Sequence, residues 1–115
     1  MLTASKEFSR AIICLGLLIL FGSLAYGQAT SGTITGLVKD PSGAAVPGAQ
    51  VKLTELRNGV SFATPTDDRG YYTKTLLPPG AYSLTVSTTG FKTFVRENVP
   101  LSVDSTVRVD VSLQL

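Results

Sequence analysis

The final stretch of this 115-residue chain alternates strictly. Val107, Val109, Val111, Leu113 and Leu115 occupy one face, and Arg108, Asp110, Ser112 and Gln114 the other. A period of two sustained over this length predicts an extended strand with one face on an apolar core and the other in water. A helix would scatter the same five apolar side chains around its axis.

From Ile34 onward the chain repeats this grammar in shorter units. Strands are expected at 33–39 (Ile34, Gly36, Val38), at 49–56 (Val51, Leu53), and from Val60 through Phe62 and Thr64 to Pro65. Further strands are expected at Tyr71–Leu76, through Tyr82, Leu84 and Val86, at Phe91–Glu97, and at 107–115. Between them stand turn signals. In Asp40-Pro41-Ser42-Gly43 the Asp can bond nearby backbone, the Pro presets φ and the Gly accepts φ > 0. Val46-Pro47-Gly48 forms a second turn, with Val46 expected to plug the core. Asn58-Gly59 suits a tight hairpin. Asp67-Asp68-Arg69-Gly70 and Leu77-Pro78-Pro79-Gly80 break the chain again, and Pro100 to Asp104 reads as a short connection. No segment beyond residue 28 has helical periodicity. The expected fold is all-β, a seven-stranded antiparallel β-sandwich.

The N-terminal region has a different character. Lys6 and Arg10 precede an apolar run from Ala11 to Leu24, and small residues follow at Ala25, Gly27 and Ala29. This is the three-part layout of a secretory signal peptide. The apolar run is shorter than the roughly 20 residues that cross a bilayer, so a retained single-span anchor is the alternative. Residues 1–27 are read as a signal peptide helix, 28–32 as a linker and 33–115 as the domain. Cleavage is expected after Gly27, with Ala29 as the alternative. Membrane contact is expected only through the signal segment, if it stays uncleaved. Cys14, the single cysteine, lies inside the apolar run behind Ile13. A lipoprotein signal would put a small residue there, so lipid attachment is not expected. The processed chain then has no thiol and must fold on hydrophobic burial alone, without a disulfide.

Loss of Lys6, Glu7 and Arg10 takes the formal charge from +2 to +1. The remaining basic residues are scattered, unlike the basic stripe of a nucleic-acid binder, so no nucleic-acid partner is expected. The chain has no His. With no mature Cys either, the usual nucleophile–base pairs and His-ligated zinc sites are absent. No catalytic residue, cofactor or metal is assigned. Asp67 and Asp68 fall far short of the six or more oxygens calcium requires, and Asp67 is read instead as capping turn amides. Sugar platforms rely on exposed rings, and the chain has no Trp. Tyr71 points away from Tyr72 and is a candidate contact for a glycan or partner, as is Phe94.

Three blocks, in order, resemble the carboxypeptidase regulatory-like family. The first is Gly32-x-Ile34-x-Gly36-x-Val38-x-Asp40-x-x-Gly43-x-x-Val46-Pro47-Gly48-Ala49-x-Val51. The second is Thr66-Asp67-x-x-Gly70-x-Tyr72, and the third Leu77-Pro78-Pro79-Gly80-x-Tyr82-x-Leu84-x-Val86, closed by Gly90-Phe91. Lys74 departs from the pattern where an inward apolar residue is usual; its stem can pack while the ammonium reaches water. The resemblance implies a prealbumin-like sandwich of Greek-key type, with Tyr72 and Tyr82 inward. It also implies a non-catalytic accessory module, exported to the periplasm, associated with the outer membrane, or secreted. Such modules stand at the N-terminus of TonB-dependent outer-membrane receptors, and a free-standing relative is the other arrangement. The partner implied is a protein or a neighbouring receptor domain, met through strand edges or loops. Because related sandwiches bind glycans, a carbohydrate-binding module is the alternative reading.

Overall fold

The computed structural model describes residues 30–115. The expected signal peptide and both expected cleavage positions lie outside the described residues. The rest forms strands β1 (Gly32–Lys39), β2 (Gln50–Glu55), β3 (Ser61–Pro65), β4 (Tyr71–Leu77), β5 (Gly80–Ser87), β6 (Phe94–Leu101), β7 (Thr106–Arg108) and β8 (Val111–Ser112). One sheet runs β4-β1-β7, with β8 continuing along β1; the other runs β3-β2-β5-β6.

The core lies between the two inner faces, as the period-two reading requires. Ile34 and Val38 of β1, Val51 and Leu53 of β2, and Tyr82, Leu84 and Val86 of β5 are all fully buried. Val46 plugs the core from the β1–β2 connection, its N–H bonded to the Val38 carbonyl at 3.0 Å. The same periodicity carries Glu55 inward, where the exposed Arg57 bonds it at 3.2 Å. Lys74 stands opposite Ile34 and is half-buried, which fits a packed stem with a solvated head.

Three features differ from the sequence reading. The sixth strand begins at Phe94 rather than Phe91 and runs through Pro100 to Leu101. Lys92 gives its N–H to the Gln114 carbonyl at 2.7 Å, so this part of the chain leans on the C-terminal segment instead of β5. Pro100 is tolerated inside β6 because β6 is an edge strand, and no neighbour calls for its missing donor. The last strand is split at Val109–Asp110 into β7 and β8, and Leu115, expected inward, is exposed.

The third difference is direction. β1 pairs antiparallel with β4, but β7 and β8 run parallel to β1. β6 belongs to the opposite sheet, and its last residue, Leu101, packs against Gly32. The chain therefore changes sheets at the end where β1 begins, and the next strand must start beside the start of β1. Residues entering β1 and residues leaving β8 consequently lie at opposite ends of the sandwich.

At the far end, side chains tie the turns together. Asp40 Oδ1 accepts from the N–H groups of Ser42 (2.9 Å) and Ala44 (3.0 Å). Asp67 Oδ1 accepts from those of Arg69 and Tyr71, both at 2.9 Å, the capping role expected of it. Thr66 is buried; its hydroxyl donates to the Val46 carbonyl (2.7 Å) and accepts from Ala49 N–H (2.8 Å). One hydroxyl thus joins the β1–β2 connection to the β3–β4 turn. Thr66→Val keeps the shape but leaves two backbone groups unpaired. It is expected to lower stability by about 1–3 kcal/mol, read as a fall in the urea midpoint at unchanged slope.

Candidate functional site

The structure separates the two candidate contact residues. Tyr71 opens β4 on the outer face of its sheet, opposite Leu37, and is 42% exposed. Phe94 opens β6 in the other sheet, opposite the buried Val86, and packs against the core. The Arg96 guanidinium stands 5.9 Å from the Phe94 ring centroid. Phe94 is therefore mainly a core-margin residue capped by a cation, whereas Tyr71 is available on the surface.

The most distinctive local chemistry lies where the last strand breaks. At Val109 the carbonyl turns inward, out of the ladder, and accepts a hydrogen bond from the buried Tyr72 hydroxyl. It rests against Gly36: a Cβ on that residue would fall 1.8 Å from the Val109 oxygen. The donor this leaves free, Leu37 N–H, is taken by Asp110 Oδ1 at 3.0 Å. A side-chain carboxylate thus replaces one backbone acceptor, and the seam with β1 stays continuous. Burial, followed by the nearby Asp110 charge, pushes the Tyr72 phenol well above its ordinary value.

Outside the break, a cleft of about 360 Å³ is lined by Leu37, Lys39, Asp40, Arg108, Asp110 and Ser112 among others. Arg108 Nε bonds Asp110 at 3.0 and 3.2 Å, with both side chains more than half exposed. A pair so placed adds little stability but orients both groups. Asp40 is committed to its turn, and the Ser42 hydroxyl bonded to it holds its carboxyl below the usual range. The cleft therefore offers Lys39, Arg108 and Ser112 around an apolar patch at Leu37. Among the described residues, no three His, Cys, Asp or Glu side chains gather as metal ligands. Nothing in the cleft pairs a nucleophile with a base.

Sequence reasoning passed over Gly36 and Asp110. Gly36 carried a usable signal, since a glycine at an inward position of an apolar strand marks close approach of another backbone. Asp110 carried none, because it occupies an outward position in the alternation, as do Arg108 and Ser112.

The chain is thus a two-sheet sandwich whose first and last described strands lie side by side and parallel. Residues 33–114 match the carboxypeptidase regulatory-like domain, and the chain belongs to that family. It is 35% identical over 97 residues to the TonB-dependent transporter Oar of Myxococcus xanthus, covering 83% of this chain and 9% of the transporter. Among solved structures it resembles the Bacillus anthracis TIE protein (TM-score 0.63, 16% identity, 74% of this chain and 16% of that one). It also resembles a putative carbohydrate binding protein from Bacteroides uniformis (TM-score 0.58, 17% identity, 71% and 40%). Catechol 1,2-dioxygenase of Acinetobacter radioresistens shares the fold at TM-score 0.59 and 12% identity, over 75% of this chain and 52% of that one. At these identities the structural likenesses establish the fold alone.

Two outcomes follow from the strand break. Gly36→Ala is expected to destabilise by about 3 kcal/mol or more, because backbone must move to admit the methyl. Gly43→Ala has open space around it and only a positive φ of 87° to oppose it, so about 1 kcal/mol is expected; urea denaturation compares the two. Tyr72→Phe should lose about 2 kcal/mol at neutral pH. Because the folded-state pKa of Tyr72 is raised, its contribution is complete below the ordinary value of 10.0 and fades as pH rises above it. The natural protein should therefore lose stability between about pH 9 and pH 11, and Tyr72→Phe should lose less. Tyr82, whose phenol is raised by burial and then by Glu55, accounts for part of the remainder.

Proposed function

We propose that this domain is a non-catalytic, exported module of the cell envelope. It serves as an N-terminal extension of a TonB-dependent outer-membrane receptor or as a free-standing relative of one. The relation to the Oar transporter supports the receptor setting. The observation that carries the structural role is the opposite placement of entry and exit, which sets any chain that follows β8 at the far end from the exposed apolar residues beside the start of β1. The layout of residues 1–27 supports export.

The strand edges favour contact through end loops over strand addition. Pro65 closes β3, Pro100 and the positive φ of Asn98 interrupt β6, and the last strand is broken. On β4, Lys74 occupies an inward position and Leu76 has a φ of 58°. Such interruptions keep edges from pairing with other chains. Leu56, Val60, Leu76 and Val103, by contrast, are exposed at the end where β1 begins, and there they can meet a neighbouring domain.

A carbohydrate-binding role is the second reading, favoured by one observation: the exposed Tyr71 stands opposite Leu37, which lines the cleft. The two readings separate experimentally. The tagged full chain, expressed in a Gram-negative host, should appear in the envelope fraction lacking residues 1–27 by mass spectrometry. A photo-crosslinker at Leu76 should capture an envelope protein, and a glycan array should stay blank. Retention of the intact chain in the cytosol would refute the export reading. Glycan binding lost in Tyr71→Ala would replace the interaction reading with the second one.

A further inference from the structure

The parallel seam between β1 and β7–β8 has a mechanical geometry. β1 is entered at one end of the sandwich, and β8 is left at the other. Tension applied along the backbone through the module would pull β1 one way and β7–β8 the opposite way, along their shared axis. The bonds between them would then be loaded together, in shear. Had the last strand been antiparallel to β1, both attachment points would fall at one end and the bonds would open singly.

The seam runs the whole length of β1. At its start, Asp104 N–H bonds the Ser31 carbonyl and Thr33 N–H bonds the Ser105 carbonyl, each at 2.9 Å. In the middle, Val109 N–H bonds the Thr35 carbonyl at 2.8 Å, and Leu37 N–H bonds Asp110 Oδ1 at 3.0 Å. At its end, Leu113 N–H bonds the Lys39 carbonyl at 2.8 Å. Ladder pairing fills the intervals from Thr33 to Thr35 and at Val38 and Lys39. Neither end leaves a loose turn from which peeling could start.

The break at Val109–Asp110 adds a catch. The Val109 carbonyl sits where only a glycine leaves room, and the Tyr72 hydroxyl holds it there from β4. Sliding β7 along β1 in either direction carries that oxygen off Gly36 toward Ile34 or Val38, whose side chains fill the corresponding inward sites.

We propose that this seam is a tension clamp, through which the domain bears pulling force between a partner that holds its N-terminal end and the receptor chain that follows β8, without unfolding. The Val109 carbonyl in the Gly36 notch acts as its catch. The proposal rests on the reading that the module extends a receptor and is held by a partner at the end where β1 begins. The resistance itself is a property of the domain.

Single-molecule force spectroscopy tests it. The full chain, joined at both ends to marker domains, is pulled end to end. A second form carries Cys14→Ser, Ser31→Cys and Val103→Cys, and is pulled through the two new thiols, which lie at one end and peel the seam open. Rupture is expected at several-fold higher force end to end than in peeling, because forced unfolding follows the barrier along the loaded coordinate. Asp110→Ala should lower the end-to-end force and leave the peeling force nearly unchanged. Asp110→Asn keeps the acceptor for Leu37 N–H and should restore most of it. Thr66→Val, which weakens the fold away from the seam, should change the end-to-end force little. Equal forces in the two geometries would overturn the clamp wherever the module resides. A mature protein that continues into no receptor would overturn that reading and leave the measured anisotropy standing.

Discussion

The inward turn of the Val109 carbonyl is the constraint around which the sandwich closes. A carbonyl directed into an apolar core needs a donor and needs space. Tyr72 provides the donor from β4 and Gly36 the space on β1, so three strands of one sheet meet at a single oxygen. The outward donor left over at Leu37 would be a second liability, and Asp110 satisfies it. Each compensation uses a different part of the chain. Gly36 comes from the first strand, Tyr72 from the fourth, and Asp110 from the break itself. Losing one leaves a polar group stranded or drives a side chain into the Val109 carbonyl.

The end of the sandwich where β1 finishes is held by a different device. There the turns are fastened by short polar side chains, with Asp40, Thr66 and Asp67 each accepting backbone N–H groups. Glycine, threonine and aspartate in the family's blocks are therefore structural in a specific sense. Thr66 clips two connections together, and Asp67 shapes the turn that delivers Tyr72 to the Val109 carbonyl. The residues that define the family build the frame. Outside that frame lie the loops at one end and the cleft beside Leu37, with Tyr71 nearby.

Much of this architecture could be read before the coordinates. Alternation placed Ile34, Val38, Val51, Leu53, Leu84 and Val86 inward, and they are buried. Turn chemistry identified the role of Asp40 and Asp67, because those hydrogen bonds are local in sequence. What escaped was nonlocal. The parallel direction of the last strand depends on which sheet β6 joins, which no local pattern encodes. The split at Val109–Asp110 answers to Gly36 and Tyr72, far away in the chain, while its own residues alternate as an unbroken strand would. Pro100 read as a breaker because its edge position could not be known. The candidate site was legible only in part: exposure at Tyr71 followed from its opposition to Tyr72, whereas the half-burial of Phe94 depends on its pairing with Val86 across the sheet, which the sequence alone does not fix.

The first strand made is also the middle strand of its sheet, and its parallel partner is the last to be made. Leu37 and Asp110 are separated by 73 residues. A chain emerging vectorially, from a ribosome or through a narrow pore, can form the β2–β3 hairpin early. It cannot close the β4-β1-β7 sheet until nearly all of the domain has passed. Long-range pairing of this kind slows folding. If the domain crosses a membrane as an extended thread, as proposed above, that delay is useful: the topology itself would keep it open until its final strand arrives.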